Sequence, residues 1–251
     1  MSVITFENTN HYGSTVFENE SYIHNHNPEL LLMYDCNYLQ FKENPTLSEF
    51  IQAEDYLRAY HQKYNQKHLK FYFPENEIIL PEVREYLFRN NYLSGRLELY
   101  WIHPNDFPSI TVTSVISVLP VTMDNIDTYL KLQYELDYKY GLDYADQRQA
   151  QHKRNFQNEC FKQLIAFYLG TPAGTVDLII TKDTLEIDSL VVLDDFQKKG
   201  IGSRIQRYVM DHFKEKTVIL VASGEDTPRD MYKKQNYQYQ SFKYEVMKVE
   251  E

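Results

Sequence analysis

Residues 197–203, Gln-Lys-Lys-Gly-Ile-Gly-Ser, are the part of the chain whose residue types and spacing best suit anion binding. An apolar stretch precedes them, and a helical pattern follows in which one face carries Ile201, Ile205, Tyr208, Val209 and Phe213. The first amide groups of a helix lack intrahelical partners and the helix dipole is positive there, so a phosphate binds favourably. The two glycines remove side chains that would keep the backbone from such a ligand.

The local charge of this region favours the same ligand. Residues 197–216 contain six Lys or Arg and two acids, although the whole chain has a net charge of −10. The spacing of the glycines does not match two other known types of phosphate-binding loop. A dinucleotide-binding fingerprint needs a third glycine where Ile205 stands, and a nucleotide-kinase loop needs four residues between its glycines and then Gly-Lys-Ser/Thr. A turn that uses its glycines only for geometry remains an alternative.

The order of motifs around this loop resembles the GNAT (Gcn5-related N-acetyltransferase) superfamily. Gln-x-x-Gly-x-Gly follows a Leu-x-Val strand and opens an amphipathic helix, and a strand and a short helix ending in a tyrosine come next. The segment DTPRDMYKKQNYQY (226–239) is similar to the family's last helix and turn, where Tyr-x-x-x-Gly-Phe is usual. Asn236 replaces that glycine, which asparagine tolerates because it adopts left-handed conformations readily. Leu193-Asp194 stands where a proline is common.

The resemblance covers residues 112–249 and implies acetyl-CoA as a co-substrate. It places the pantetheine arm of the coenzyme along the backbone of Leu190 and Val192. It assigns the pyrophosphate to the glycine loop, whose members are Gln197, Lys198, Lys199, Gly200, Ile201, Gly202 and Ser203. Tyr232 matches the family's tyrosine that protonates the departing thiolate. A phenol of pKa near 10 can share its proton with a thiolate of pKa about 8.5.

A general base is also needed, because the attacking amine must lose a proton. Glu186 lies four residues before Leu190 on the same strand, where some family members carry a catalytic glutamate. Asp188 shares its parity and therefore its face, and two adjacent acids can raise one pKa towards neutrality. A pair of acids that is only solvated remains the alternative.

Other residues with reactive side chains fit a structural role better. His24 and His26 lack a third metal ligand at suitable spacing, so we assign them to a polar loop and predict no metal. Cys36 and Cys160 have no partner motif for nucleophilic catalysis, and we expect both to pack in a core.

The elements that must position these residues follow from hydrophobic periodicity. In the first part of the chain the pattern predicts strands at 30–34, 69–73 and 97–101, and helices at 46–64 and 80–90. The remainder predicts strands at 112–119, 161–169, 174–181, 185–193 and 218–222, helices at 124–140, 144–160, 201–213 and 227–235, and an extended end to Val249. This order is a mixed α/β (α+β) plan.

The turn-rich segment HPNDFPS (103–109) predicts two domains, 1–111 and 112–251. At an offset of 145 residues Asn91-Tyr92 matches Asn236-Tyr237, and Leu97, Leu99 and Trp101 fall on Phe242, Tyr244 and Val246. Leu87 takes the place of Tyr232, and the first half has no glycine loop. We therefore predict a GNAT acyl-CoA acyltransferase fold in the second half, and in the first half a degenerate GNAT-like companion that shapes an acceptor cleft.

Composition limits the partners and the function. Net charge −10 argues against nucleic acid and against an anionic membrane surface. The start MSVITFENTN lacks a leader pattern, no run of 18 apolar residues occurs, and two cysteines suit a reducing compartment, so a cytoplasmic location is expected. The predicted function is N-acetyl transfer to a primary amine of a small molecule or peptide. A homodimer is one of the oligomeric states that the sequence allows. The alternative is a non-catalytic CoA-binding sensor or assembly module.

Overall fold

The computed structural model describes residues 4–111, 113–224 and 228–250. Its strands are β1 (Ser14–Glu18), β2 (Tyr22–His26), β3 (Tyr38–Phe41), β4 (His68–Tyr72), β5 (Leu93–Ile102), β6 (Ile116–Pro120), β7 (Phe161–Tyr168), β8 (Thr171–Ile180), β9 (Thr184–Val192), β10 (Thr217–Ser223) and β11 (Gln238–Val249). Its α-helices are α1 (Leu47–Gln62), α2 (Pro81–Arg89), α3 (Ile126–Tyr138), α4 (Leu142–Gln157), α5 (Ile201–His212) and α6 (Pro228–Lys234). None of the helices within these ranges has the length and apolar character needed to cross a membrane.

All eleven strands form one mixed sheet in the order β1-β2-β3-β4-β11-β5-β10-β9-β8-β7-β6. The predicted mixed α/β fold is confirmed, and every helix and strand predicted from residue 46 onward is present, with ends displaced by at most four residues. In the centre of the sheet each half contributes one strand to the other half's part of the sheet, an arrangement that we call the strand exchange. β11, the last strand, pairs with β4, whereas β5 pairs with β10. The domain boundary at 111/112 stays a prediction, and Val112 lies outside the described residues.

The internal similarity at an offset of 145 residues corresponds to a repeated turn. Asn91 and Asn236 have φ of 59° and 67°, the left-handed conformation that asparagine tolerates. The amide of Tyr92 donates to the Leu87 carbonyl at 3.0 Å, and the amide of Tyr237 donates to the Tyr232 carbonyl at the same distance. α2 with β5 and α6 with β11 are therefore equivalent units.

The buried tyrosines of these turns also have equivalent partners. The Tyr92 hydroxyl donates to Glu54 of α1 at 2.7 Å, and the Tyr237 hydroxyl donates to Gln206 of α5 at 2.8 Å. Each tyrosine thus fixes the closing strand of one half to that half's preceding long helix. Alternation along the central strands separates two faces. Tyr100 and Leu220 pack in the core beneath α5, and Leu99 and Ile219 pack under Phe6 on the opposite face.

The beginning of the chain differs from the prediction. Residues 30–34 do not form a buried strand, because Leu30 enters a tight turn and a 3-10 helix follows at Tyr34–Cys36. The strands of this region are β1, β2 and β3, which the sequence pattern did not reveal. His24 and His26 were assigned to a polar loop, which is wrong. They lie in β2 and are almost fully buried beneath tyrosines of α1, and burial lowers the pKa of His24 to about 3.

The two cysteines lie in different environments. Cys36 is buried as expected, and burial raises its pKa to about 12, so the thiol form dominates. The prediction that Cys160 is also buried is wrong, since it is exposed just before β7. Neither cysteine forms a disulfide bond.

A buried polar network fixes β8 to α3 and α4. Asp177 accepts a hydrogen bond from the Tyr129 hydroxyl and lies 3.6 Å from Nδ1 of His152, which Asp137 approaches at 3.4 Å on the other side. Burial alone would lower the pKa of His152, but the two carboxylates raise it above its usual value. Burial alone would raise the pKa of Asp177, but His152 and Tyr129 hold it below its usual value. Asp177 is also the cross-strand partner of Asp188, so this network holds in place the strand next to β9.

We expect Asp177→Asn to lower the free energy of unfolding by about 3 kcal/mol, because it removes one of the two carboxylates that favour the charged form of the buried His152. Urea unfolding at neutral pH measures this change. The matched control is Glu85→Gln, which breaks an ion pair with Arg89 whose side chains are 61% and 72% exposed. It should cost less than about 1 kcal/mol. Equal losses in the two variants would contradict a structural role for the network.

Candidate functional site

The glycine loop leads directly into α5 and leaves its first turn open. Gly200 is the N-cap residue, with φ of 84°, a left-handed conformation that disfavours any side chain. Among the described residues no side chain caps this helix, and its first turn contains no acid. A Cβ atom on Gly202 would meet only the side chains of Leu190 and Val192, at 3.8 and 3.9 Å. The amides of the first turn are therefore available to an anion.

The equivalent helix start in the first half is closed. Thr46 caps α1 through its hydroxyl, and the Glu49 carboxylate accepts a hydrogen bond from the Thr46 amide at 2.8 Å. A carboxylate thus occupies the region where an anionic ligand would need to bind. The first half therefore lacks the open helix start that the glycine loop provides in the second half.

Strand β9 separates from its neighbour next to the loop. Its parallel pairing with β10 ends at the Glu186–Ile219 pair, although β9 continues to Val192 and β10 to Ser223. Ser189 has φ of 51°, and the register with β8 shifts here, which marks a bulge. Leu190 and Val192 therefore lie on an edge that faces the opening between two strands.

Tyr232 of α6 lies on the far side of this opening. Its ring centroid is 5.7 Å from that of Tyr100 and 5.5 Å from that of Tyr237, so the ring is held between two aromatic neighbours. A cavity of about 220 Å³ is lined by Tyr232 together with Glu186, Ile187, Asp188, Ser189, Leu190, Leu220 and Val221. The structure thus brings the sequence-predicted tyrosine and glutamate to one cavity.

Glu186 is 8% exposed and accepts a hydrogen bond from the Asn10 amide at 2.7 Å. Burial, reinforced by the nearby charge of Asp188, raises its pKa to about 8. Burial also raises the pKa of Asp188, which accepts a hydrogen bond from the Tyr12 hydroxyl at 2.6 Å. Glu186 can therefore exchange a proton close to neutral pH, which a solvated glutamate cannot do.

A second cavity of about 370 Å³ adjoins the first and shares Glu186, Asp188, Ser189 and Val221 with it. Residues of both halves line it. The first half contributes Phe6, Thr9, Asn10, His11, Tyr12, Met33, Asp35, Tyr38, Lys70, Tyr72 and Leu97, and the second half adds Lys243 and Glu245. Tyr12, Tyr38 and Tyr72 of the first half therefore border a cleft between the halves.

Sequence reasoning missed the contributions of Asn10, Tyr12 and Lys243. The first two are separated from their carboxylate partners by 176 residues, and no local pattern records such contacts. A signal for Lys243 did exist. The apolar residues Phe242, Tyr244 and Val246 define one face of the last strand, so Lys243 and Glu245 had to share the other face.

Comparisons with known proteins agree with this architecture. The Acetyltransferase (GNAT) family model matches residues 125–237, and a domain of unknown function (DUF5613) matches residues 4–100. A functionally unknown conserved protein from Staphylococcus epidermidis is 32% identical, with a TM-score of 0.90 over 99% of this chain and 98% of that one. No curated protein matches the sequence.

More distant structures share the fold alone. A GCN5-related N-acetyltransferase from Kribbella flavida is 13% identical, with a TM-score of 0.64 over 94% of this chain and 89% of its own. A tandem GNAT protein from the clavulanic acid biosynthesis pathway is 11% identical, with a TM-score of 0.52 over 84% of this chain and 75% of its own. Residues 125–237 therefore match the GNAT acetyltransferase family, and the chain shares its fold with GNAT proteins, one of which is a tandem GNAT protein. The family match and the fold indicate acyl transfer from an acyl-CoA.

The pKa of Glu186 provides a test of the site. We expect its carboxyl group to titrate near pH 8 when followed by ¹³C NMR of labelled glutamate side chains. Asp188→Asn removes the like charge and should lower that pKa, while continued burial keeps it above the ordinary value of 4.5. Asp183→Asn, an exposed acid in the turn before β9, should leave it unchanged. A Glu186 midpoint near 4.5 in the unmodified protein would contradict this description of the site.

Proposed function

We propose that the chain is an N-acetyltransferase that transfers an acetyl group from acetyl-CoA to a primary amine by direct attack. The observation that carries this proposal is the convergence of three features on one opening in the sheet. The uncapped start of α5, the unpaired edge of β9 and the cavity between Glu186 and Tyr232 lie in succession along it. In this proposal the helix start binds the pyrophosphate, the strand edge binds the extended pantetheine arm, and the cavity holds the thioester.

Acetyl-CoA, a co-substrate rather than a resident group, would supply the activated thioester. The amides of residues 198–203 would bind its pyrophosphate, and Gln197 would order the loop, since its side-chain amide donates to Asp194 at 2.8 Å. The backbone of Leu190 and Val192 would pair with the pantetheine amides as a neighbouring strand would. Lys198 and Lys199 would add positive charge at the mouth of the site.

Glu186 and Tyr232 would move the two protons of the reaction. As the amine nitrogen bonds to the thioester carbonyl carbon and the C–S bond breaks, Glu186 in its ionised form accepts the proton that the nitrogen loses. Tyr232 donates its hydroxyl proton to the departing sulfur. Solvent then restores both groups. Because the pKa of Glu186 is about 8, its ionised fraction grows steeply as pH rises from 6 to 9.

Acetyl-CoA binding tests the first part of the proposal through a graded pair of variants. Gly202→Ala should keep near-normal affinity in isothermal titration, because the added methyl group makes only ordinary contacts. Gly202→Glu should weaken binding at least tenfold, because its carboxylate competes for the positive helix start. Undiminished binding in Gly202→Glu would overturn the loop assignment. Binding that is not followed by transfer to any amine would instead favour the non-catalytic sensor or assembly module.

The pH–rate profile tests the two proton-transfer roles. We expect kcat/KM to rise with pH through a midpoint near 8, and Glu186→Gln to lose this limb together with about 10²- to 10⁴-fold in rate. Tyr232→Phe should lower kcat while the Kd for acetyl-CoA stays the same. Tyr239→Phe is the matched control, because that tyrosine also packs against Tyr100 but lines neither cavity. Full activity in Tyr232→Phe would remove the general-acid role.

A further inference from the structure

The larger cavity carries charges of both signs on one face of the central sheet. Its carboxylates are Asp35, Glu186, Asp188 and Glu245, and its lysines are Lys70 and Lys243. Three of these groups form one cluster, in which a single lysine contacts two carboxylates and a net charge of −1 remains. Lys70 forms an ion pair with Asp35 and lies 2.7 Å from Glu245, and this pairing outweighs the effect of burial and raises the pKa of Lys70. The remaining cation is Lys243.

Lys243 has no such partner. It is 6% exposed, and in the described part of the chain no carboxylate oxygen lies within 4 Å of its ammonium group. Its Nζ atom instead lies over the rings of Phe6 and Tyr72, 4.6 and 4.2 Å from their centroids. Burial lowers the pKa of Lys243 to about 8, because the more distant charges of Glu245, Glu75 and Asp35 do not offset it. A buried ammonium group of this kind gains most from an anion that enters the cavity.

Glu186 and Asp188 lie where this cavity meets the smaller cavity beside Tyr232. An amine that is to attack a thioester in the smaller cavity must come to this junction. The two carboxylates would attract its ammonium form, which loses one proton to solvent, and ionised Glu186 would then accept the second proton as the nitrogen attacks. The Tyr12 hydroxyl already orders one oxygen of Asp188.

The sheet sets the spacing between the two ends of the cavity. Glu186 is on β9 and Lys243 on β11, and the strands β10 and β5 lie between them. Three strand spacings correspond to about 14 Å between the backbones. The glutamate and lysine side chains both line the cavity that covers these strands. The volume of about 370 Å³ is that of a small-molecule site.

We propose that the acceptor of this transferase is a small aminocarboxylic acid, whose amine is held at Glu186 and Asp188 and whose carboxylate pairs with Lys243. This assignment rests on the proposed acetyl transfer and extends it to the substrate class. A single unpaired lysine matches one negative charge. The surplus of carboxylates disfavours a phosphate dianion, and the buried ammonium group disfavours a polyamine.

Matched acceptors test the assignment. ω-Aminocarboxylates of two to six carbons are compared with n-alkylamines of the same length, using acetyl-CoA as donor and thiol release as the readout. We expect kcat/KM to be at least tenfold higher for the aminocarboxylate of the best-fitting length. Lys243→Met should lower kcat/KM for the aminocarboxylate about ten- to a hundredfold more than it lowers kcat/KM for the alkylamine. The control is Lys248→Met on the same strand, whose Nζ lies 5.7 Å from the Tyr92 centroid outside the cavity.

Direct binding separates this inference from the proposed transfer. In isothermal titration with CoA present, the aminocarboxylate should bind the unmodified protein and Lys248→Met alike, and Lys243→Met at least tenfold more weakly. Acetylation of alkylamines as fast as of aminocarboxylates, with no effect of Lys243→Met, would overturn the acceptor class and leave the transferase intact. Lys243-dependent binding without turnover would retain the site and remove the proposed function. No binding and no preference would overturn the inference.

Discussion

The antiparallel pairing of β5 with β11 is the constraint on which the rest of the molecule depends. It extends from Gln238 opposite Trp101 to Met247 opposite Leu93. β5 belongs by sequence to the first half but lies beside β10 of the second half, and β11 belongs to the second half but lies beside β4 of the first half. Because β11 lies between β4 and β5, Lys243 and Glu245 face a cavity built largely by the first half. Neither half can complete its own sheet, and the cleft between them is a product of the exchange.

The two halves share one supersecondary plan and differ in the groups that it presents. In the second half a left-handed glycine opens α5 and leaves its amides available, whereas in the first half a Thr–Glu capping box closes α1. The position of Tyr232 is taken by Leu87, which is buried under the same turn. The first half thus retains the turn geometry and has replaced the polar groups that could bind or react.

Sequence periodicity predicted the second half well because its elements are long, strongly patterned and punctuated by glycine or proline. It failed for β1, whose residues are all exposed, for β3, which is only four residues long, and for β2, where buried positions hold His24, Asn25 and His26 instead of apolar residues. His24 and His26 are buried because Tyr56 and Tyr60 of α1 cover them, and that covering is decided by tertiary contacts. The candidate site divides in the same way. Its local motifs were readable from the sequence, but the hydrogen bonds from Asn10 and Tyr12 join segments far apart in the chain.

Burial shifts the pKa of a carboxyl group and the pKa of an ammonium group to a similar value. It raises the pKa of Glu186 and lowers the pKa of Lys243, each to about 8, so burial disfavours both charged forms. The strands β10 and β5 separate them, and the charge of Lys243 only partly offsets the rise in the pKa of Glu186. A molecule that carries an ammonium and a carboxylate group would favour both charged forms at once, whereas a simple amine would favour only one. The exchange of β5 and β11 creates this arrangement of charges, because it places Lys243 of β11 in the same cavity as Glu186 of β9.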